Sequence, residues 1–156
     1  MATEKRVAAL RERLDGLEAD AFLVTSRINR MYLSGFSGSA GWLLLSRTRA
    51  YALIDFRYRE QVKQQAPSFE PVEGDDFAES LAKLVKEEGL GRVAFEAAHT
   101  SVKDQNRREE MLPQVRWVPT SGVIEEIRAV KEPEELARIE RAVALADEAF
   151  TYITGR

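Results

Sequence analysis

Side chains that could act as nucleophiles, general bases or metal ligands are sparse in this sequence. His99 is the only histidine among the 156 residues, and there is no cysteine. A metal site needs several converging His, Asp, Glu or Cys side chains, and a serine triad needs a histidine base. Neither H-E-x-x-H nor G-x-S-x-G occurs. We therefore interpret His99 as a surface or capping residue, and neither a zincin nor a serine hydrolase has support.

A glycine- and serine-rich segment, Gly35-Phe-Ser-Gly-Ser-Ala-Gly41, is a candidate binding loop. Phosphate-binding loops follow a strand and open a helix, so that the helix N–H groups face the anion. Here a predicted helix over 27–33 precedes the loop and a predicted strand over 42–46 follows it. The Gly-Lys-Ser/Thr ending of a P-loop is also absent. The pattern favours a loop that needs positive φ or close backbone approach.

Two further segments combine charged residues in suggestive patterns. Asp55-Phe-Arg-Tyr58 follows an apolar strand, where the aspartate can cap the next helix and hold Arg57 in an ion pair. We interpret this segment as a structural motif. The run from Ile124 to Leu136 carries Glu125, Arg128 and Lys131 three residues apart and leads into a helical pattern.

The spacing of apolar and polar residues predicts the helices and strands that position these segments. The 3-4-3 spacing of Val7, Leu10, Leu14 and Leu17 predicts a leading amphipathic helix. Further helices are predicted over 57–65, from the Asp76 cap to Gly89, and from Ser101 to Leu112. Strands are predicted over 20–25, 42–46, 50–54, 69–72, 92–95 and 115–118, with Pro119 ending the last. One predicted hairpin, together with strands that otherwise alternate with helices along the chain, predicts an α/β domain, a mixed β-sheet flanked by helices.

Composition narrows the class of protein. The net charge of −3 and the pI of about 5.4 argue against a nucleic-acid partner, which would favour a basic face. The apolar runs are far shorter than a membrane span, so we expect no membrane partner. The first residues lack the apolar segment of a signal peptide, and the absence of cysteine suits a reducing compartment. These features predict a cytoplasmic protein.

A second amphipathic pattern fills the last part of the sequence. Glu132-Pro133 starts a helix well, because proline suits the first turn. Its apolar residues recur at 3-4-3-4-3 spacing, at Leu136, Ile139, Val143, Ala146, Phe150 and Ile153. Such a stripe is normally buried against another part of the protein or against another subunit. The pattern alone leaves two alternatives: the helix folds back on this domain, or it packs on another domain or subunit.

The order of four signals resembles the creatinase/prolidase/aminopeptidase P family. The most specific signal is the last, because in that family it marks the start of the catalytic domain. The signals are the leading amphipathic helix, Tyr32-Leu-Ser-Gly-Phe-Ser-Gly-Ser39, Asp-x-Arg-Tyr at 55–58, and Glu-x-x-Arg-x-x-Lys-x-x-x-Glu at Glu125, Arg128, Lys131 and Glu135.

The resemblance implies that residues 1–130 are a creatinase/prolidase-type N-terminal domain. Residues 131–156 would then be the linker and first helix of a truncated pita-bread catalytic domain, with an exposed apolar stripe over Leu136–Phe150. Enzymes of this family hold two divalent metals, commonly manganese or cobalt, in that catalytic domain, so the resemblance implies no catalytic residue and no metal ligand in this segment. The parent protein would be a Xaa-Pro dipeptidase or aminopeptidase P-like metallopeptidase, and this segment would be inactive alone.

The resemblance also implies the partners: proline-containing peptides, bound by the full-length protein, and a second subunit in a homodimer. In the family, the counterpart of the glycine loop reaches toward a partner's active site. Here the candidate cleft and dimer residues are Gly35, Phe36, Ser37, Gly38 and Ser39. With no charged side chain in the loop, we expect Phe36 and backbone groups to make its contacts.

Two other interpretations remain open at this stage. The same domain resembles one found in non-catalytic relatives, including the large subunit of a histone chaperone, where it serves as a peptide- or protein-binding module. An unrelated α/β domain that binds a small molecule would also fit the element pattern. A sheet topology unlike that of the creatinase N-terminal domain would favour this last alternative.

Overall fold

The computed structural model describes residues 2–155 and is built around one six-stranded sheet. The strands are β1 (Ala21–Val24), β2 (Trp42–Ser46), β3 (Ala50–Ile54), β4 (Glu70–Glu73), β5 (Arg92–Glu96) and β6 (Arg116–Thr120). Their spatial order is β4-β3-β2-β1-β5-β6. β2 runs antiparallel to β1 and β3, and the other neighbouring strands are parallel. The predicted mixed sheet is confirmed.

Helices cover both faces of this sheet. They are α1 (Ala2–Gly16), α2 (Arg27–Ser34), α3 (Arg59–Gln65), α4 (Phe77–Glu87), α5 (Val102–Met111), α6 (Val123–Ala129) and α7 (Pro133–Thr154). Short 3-10 turns at Phe56–Tyr58 and Ala97–His99 follow β3 and β5. α6 is an element that the sequence pattern did not predict.

The two faces of the sheet carry separate apolar cores, because alternate side chains of a strand point to opposite sides. In β1, Phe22 packs with Leu10 of α1 and Ile124 of α6 on one face. Leu23 packs on the other face with Leu81 of α4. The predicted inward face of α1 is confirmed, since Val7, Leu10 and Leu14 are buried and Leu17 packs against the same cluster.

Capping residues set several helix boundaries as predicted. Asp76 accepts hydrogen bonds from the backbone N–H groups of Ala78 and Glu79, at 2.9 and 3.2 Å. Ser101 accepts from the N–H of Asp104 at 3.1 Å. Gly35 ends α2 with φ at 82°, in the left-handed region that glycine adopts without a steric penalty.

The predicted end of the last strand is wrong. Pro119 lies inside β6, opposite Phe95 of β5, instead of ending the strand. β6 is at the edge of the sheet, and a proline can occupy an edge strand because its missing N–H need not serve a ladder. Pro71 in β4, at the opposite edge, occupies the same kind of position.

The last helix leaves the domain with its apolar stripe uncovered. Glu132 is extended, as expected before a proline, and α7 begins at Pro133. No residue of α7 is buried, and Leu136 and Phe150 are 48% and 69% exposed. The predicted exposed stripe is therefore confirmed. Within residues 2–155, no helix combines the length and apolarity that crossing a bilayer requires.

Candidate functional site

The loop over residues 35–41, called the glycine loop below, lies against the turn that follows β3. The hydroxyl groups of Ser39 and Tyr58 are 2.6 Å apart and share a hydrogen bond. The N–H of Ser37 donates to Oε1 of Gln65 at 2.9 Å, from the end of α3. The fold therefore brings together two segments that the sequence singled out separately.

Phe36 does not protrude from the glycine loop. Its side chain is fully buried, with its ring centroid 5.5 Å from that of Tyr58 in an edge-on arrangement. A Cβ atom placed on Gly38 would lie 2.2 Å from the ring. The expectation that Phe36 makes the contacts of the loop is wrong, because the ring completes the core. Ser37 and Ser39 are the exposed side chains.

Arg30, which sequence reasoning missed, holds the loop from below. This side chain is 2% exposed, and its guanidinium donates to the backbone oxygens of Gly38 and Gly41. It also lies 5.3 Å from the centroid of the Phe36 ring. Burial lowers the pKa of Arg30, with a further contribution from the positive charge of Arg27. The loop is thus fixed by a buried cation that binds its carbonyl groups.

The first part of α2 has polar residues inside and apolar residues outside, although Leu33 further along the helix is buried. The order of polar and apolar residues over 28–31 is the signal that could have identified Arg30. Asn29 and Arg30 face inward, whereas Ile28 and Met31 are 56% and 48% exposed. Inward polar groups are tolerated because they have partners in the loops around them. Ser34, for example, accepts from the N–H of Phe36 at 3.0 Å. Apolar groups on the outer side of a helix mark a surface that another element can cover.

Asp55, Arg57 and Tyr58 form the predicted cap and ion pair. Oδ1 of Asp55 accepts from Nε of Arg57 at 2.9 Å and from its backbone N–H at 3.0 Å, and Oδ2 accepts from Nη2 at 2.8 Å. The hydrogen bond from Arg57 lowers the pKa of Asp55 and raises the pKa of Arg57. The pKa of Tyr58 is lowered chiefly by the hydrogen bond with Ser39. The motif is a rigid surface turn beside the glycine loop.

Glu125 and Arg128 both bind the buried amide of Asn29. Nδ2 of Asn29 donates to Oε1 of Glu125 and to Oε1 of Glu96, each at 2.6 Å, and Nη1 of Arg128 donates to its Oδ1 at 3.1 Å. Burial acts to raise the pKa of Glu125. The hydrogen bond from Asn29 and the charges of His99 and Arg128 oppose it, and the net pKa is lowered. This network anchors α6 to α2 and to the end of β5.

Lys131 completes the motif by ending α6. Its Nζ donates to the backbone oxygens of Arg128 and Ala129, at 2.8 and 3.2 Å. A cation is favourable at the negative end of a helix, where carbonyl groups lack intrahelical partners. The charged residues that attracted attention in the sequence therefore have structural roles in this part of the chain.

A cavity of about 290 Å³ lies at the carboxyl ends of β5 and β6, with Glu96, Glu125 and His99 in its wall. Open α/β sheets bind ligands at such ends. Here Oε2 of Glu96 accepts from the N–H groups of Thr25 and Ser26, at 2.7 and 2.8 Å, and occupies donors that an anionic ligand would use. Across residues 2–155, no three His, Cys, Asp or Glu side chains are arranged to hold a metal ion. The two metals implied by the resemblance do not fit these residues.

The sequence profile of the creatinase/prolidase N-terminal domain family matches residues 6–130. The chain belongs to this family. The creatinase/prolidase N-terminal domain accounts for the mixed sheet and the leading helix, and membership excludes the alternative of an unrelated small-molecule-binding domain.

Similar proteins are peptidases that are longer than this chain. The uncharacterized peptidase YqhT of Bacillus subtilis is 33% identical over 149 residues, which are 95% of this chain and 42% of YqhT. A solved Xaa-Pro dipeptidase from Bacillus anthracis is 32% identical with a TM-score of 0.92, over 98% of this chain and 43% of that one. The chain thus spans less than half the length of these relatives.

A match to an isolated, solved domain covers nearly all of that domain but only part of this chain. The N-terminal domain of the cytoplasmic peptidase PepQ from Mycobacterium tuberculosis is 32% identical, with a TM-score of 0.74. The match covers 97% of that domain but 78% of this chain, or about 122 of its 156 residues. A creatinase/prolidase N-terminal domain is therefore known as a separate body that is shorter than this chain.

Proposed function

We propose that this chain is the non-catalytic N-terminal domain of a Xaa-Pro dipeptidase or aminopeptidase P-like metallopeptidase. The observation that carries the proposal is the match to the Bacillus anthracis dipeptidase, in which 98% of this chain corresponds to 43% of a larger enzyme. Residues 1–130 are the domain, and residues 131–156 are the linker and the first helix of the catalytic domain. The parent acts on proline-containing peptides and is cytoplasmic, like PepQ.

The apolar character of α7 supports this division. Over residues 142–153, the polar side chains are Asp147, Glu148 and Thr151. With 100° per residue, these three lie on one arc of about 100°, and apolar residues occupy the remainder. A helix that is apolar over most of its circumference is buried inside a domain. The catalytic domain of the parent is the body that would surround this half of α7.

The glycine loop is the part of the domain best suited to shape the substrate cleft and the dimer. Ser37 and Ser39 face outward on a backbone that Arg30, Tyr58 and Gln65 hold in place. A loop fixed before binding loses little conformational entropy when it meets a partner. We propose that it reaches the active site of a second subunit in a homodimer. The two divalent metals, manganese or cobalt, bind in the catalytic domain and supply the activation of water.

Proline release from Xaa-Pro dipeptides and from longer Xaa-Pro peptides tests this proposal. The 156-residue chain and its full-length parent are assayed side by side with added manganese. We expect turnover by the parent alone. Metal-dependent turnover by the isolated chain would overturn the non-catalytic assignment. Silence from both proteins would favour the alternative of a peptide- or protein-binding module.

The role of the loop is tested separately in the parent. A Ser37→Ala/Ser39→Ala variant is expected to raise KM or weaken the dimer, as measured by steady-state kinetics and analytical ultracentrifugation. Ser68→Ala, an exposed serine on the turn before β4, is the matched control. Unchanged kinetics and an unchanged dimer in the double variant would contradict a role of these hydroxyl groups in the cleft or the dimer.

A further inference from the structure

The start of α7 is the part of this helix that contacts the domain. From Leu136 to Gly155, every side chain or residue is exposed. The helix rises about 1.5 Å per residue, so its 22 residues extend for about 33 Å. The residues that could orient so long a projection are those before Leu136, and they meet the domain at Arg6 of α1.

Arg6 binds both ends of the first turn of α7. Its Nη2 lies 3.1 Å from Oε2 of Glu132 and 3.2 Å from Oε1 of Glu135. Glu135 in turn accepts from the backbone N–H of Glu132 at 3.0 Å. One guanidinium therefore binds both carboxylates at the start of the helix.

Arg6 is itself held firmly on the domain side. Its Nη1 donates to the backbone oxygen of Tyr32 at 2.9 Å, and its guanidinium lies 4.2 Å from the centroid of the Tyr32 ring. The side chain is 14% exposed. Arg128 approaches the same ring at 6.0 Å, so the ends of α1, α2 and α6 meet at this tyrosine. The planar guanidinium suits this position because it can serve several acceptors and stack on a ring together.

We call the contact of Arg6 with Glu132 and Glu135 the joint. Beyond the joint, α7 does not pack against the domain. A cleft of about 470 Å³ separates Ile28 and Met31 of α2 from Glu134 and Arg138 of α7. The match to the Bacillus anthracis dipeptidase leaves about three residues of this chain unmatched, so it includes most of α7. The TM-score of 0.92 indicates that the course of α7 is similar in this relative, which is longer than this chain.

We propose that Arg6 is a positioning residue that fixes the angle between the N-terminal domain and α7. Without its two ion pairs, α7 pivots about residues 130–132 into the cleft beside α2. A swing of about 20° displaces the far end of a helix of about 33 Å by about 11 Å. The joint itself is a property of this chain. Its consequence, the alignment of the domain with a catalytic body, rests on the function proposed above.

Distance measurements between two spin labels test the joint in the 156-residue chain. The sequence has no cysteine, so Lys86→Cys on α4 and Glu148→Cys on α7 are the sole labelling sites. Both positions are exposed. Double electron–electron resonance should give one narrow distance distribution in this background. Adding Arg6→Met, which keeps an unbranched apolar stem, is expected to broaden or shift that distribution by several ångströms.

Matched variants separate the joint from other effects. Arg13→Met removes an exposed ion pair of the same helix, with Glu126, and should leave the distribution unchanged. Glu132→Gln/Glu135→Gln removes the two carboxylates that Arg6 binds and should reproduce the broadening of the distance distribution. This pair also serves as the test if Arg6→Met fails to fold.

Two results would overturn the proposal. One is a distance distribution in Arg6→Met that is identical to that of the doubly labelled 156-residue chain with Arg6 intact. The other is broadening by Arg6→Met without broadening by Glu132→Gln/Glu135→Gln, since Arg6 would then act through Tyr32 and not through α7. Neither result depends on peptidase activity, so the failure of this proposal is distinguishable from the failure of the proposed function.

Discussion

Removing residues 131–156 should leave a stable domain, although it deletes one sixth of the chain. None of the deleted helix is buried, so the deletion removes little of the apolar surface that drives folding. The shorter protein, ending at Val130, should therefore keep its fold. It should also be more soluble, because the exposed stripe over Leu136–Phe150 is gone.

The size of the effect follows from the contacts that are lost. The deletion removes the ion pairs of Arg6 with Glu132 and Glu135, whose side chains are 27% and 32% exposed, and the two hydrogen bonds from Lys131 to the end of α6. Exposed pairs contribute about 0.2–1 kcal/mol each. With the added cost of leaving Arg6 unpaired, we expect the free energy of unfolding to fall by about 1–2 kcal/mol. Leu14→Ala, in a fully buried position, should cost about 2–5 kcal/mol.

Urea unfolding of the three proteins checks this reasoning. The slope m scales with the surface exposed on unfolding. Because α7 buries little, the truncated domain should keep nearly the m value of the full chain. A loss of stability as large as that of Leu14→Ala, or a fall in m in proportion to chain length, would refute the account. Either result would mean that α7 packs on the domain in solution.

Two further perturbations test the cores of the fold. Gly38→Ala places a methyl group 2.2 Å from the Phe36 ring and should cost about 2–3 kcal/mol in urea unfolding. Gly16→Ala, with no atom within 4 Å of the new methyl group, should change stability by less than about 0.5 kcal/mol, and equal midpoints for the two variants would contradict the packing. Burial and the hydrogen bond to Glu88 raise the pKa of Tyr51 above its ordinary value of 10.0. The contribution of the neutral Tyr51 side chain to the free energy of unfolding is therefore complete below about pH 10 and is lost as the pH rises further. Tyr51→Phe should flatten the fall in the free energy of unfolding between about pH 9 and pH 11, and an unchanged slope there would argue against this hydrogen bond.

The glycine loop shows where prediction from sequence stops. Its glycine and serine content identified it as a loop that needs positive φ or close backbone approach, and Gly35 adopts a positive φ. The sequence also suggested that Phe36 would make contacts outside the domain, whereas the ring lies in the core. Whether an aromatic residue in a loop points inward depends on the elements around it. Here those elements are Arg30 beneath the ring and Tyr58 at its edge.

The charged motif near the end of the sequence shows a similar limit. Its spacing indicated a junction, but not the partners of its residues. Glu125 and Arg128 bind Asn29, which is 96 and 99 residues away along the chain. Asn29 also binds Glu96, 67 residues away. A buried amide with three charged neighbours has no local signature, because its neighbours are defined only when α2, β5 and α6 have packed.

The sequence alone determined the elements whose causes are local. Periodic apolar residues, capping side chains and the proline at 133 define most helices, the hairpin and the apolar stripe of α7, because these signals act within a few residues. The tertiary structure decided what depends on distant parts of the chain. It allowed Pro119 into an edge strand, buried Arg30 under the glycine loop, and placed Arg6 against the first turn of α7. The physical reason is that the cost of burying a charge or losing a donor depends on the neighbours that long-range packing brings.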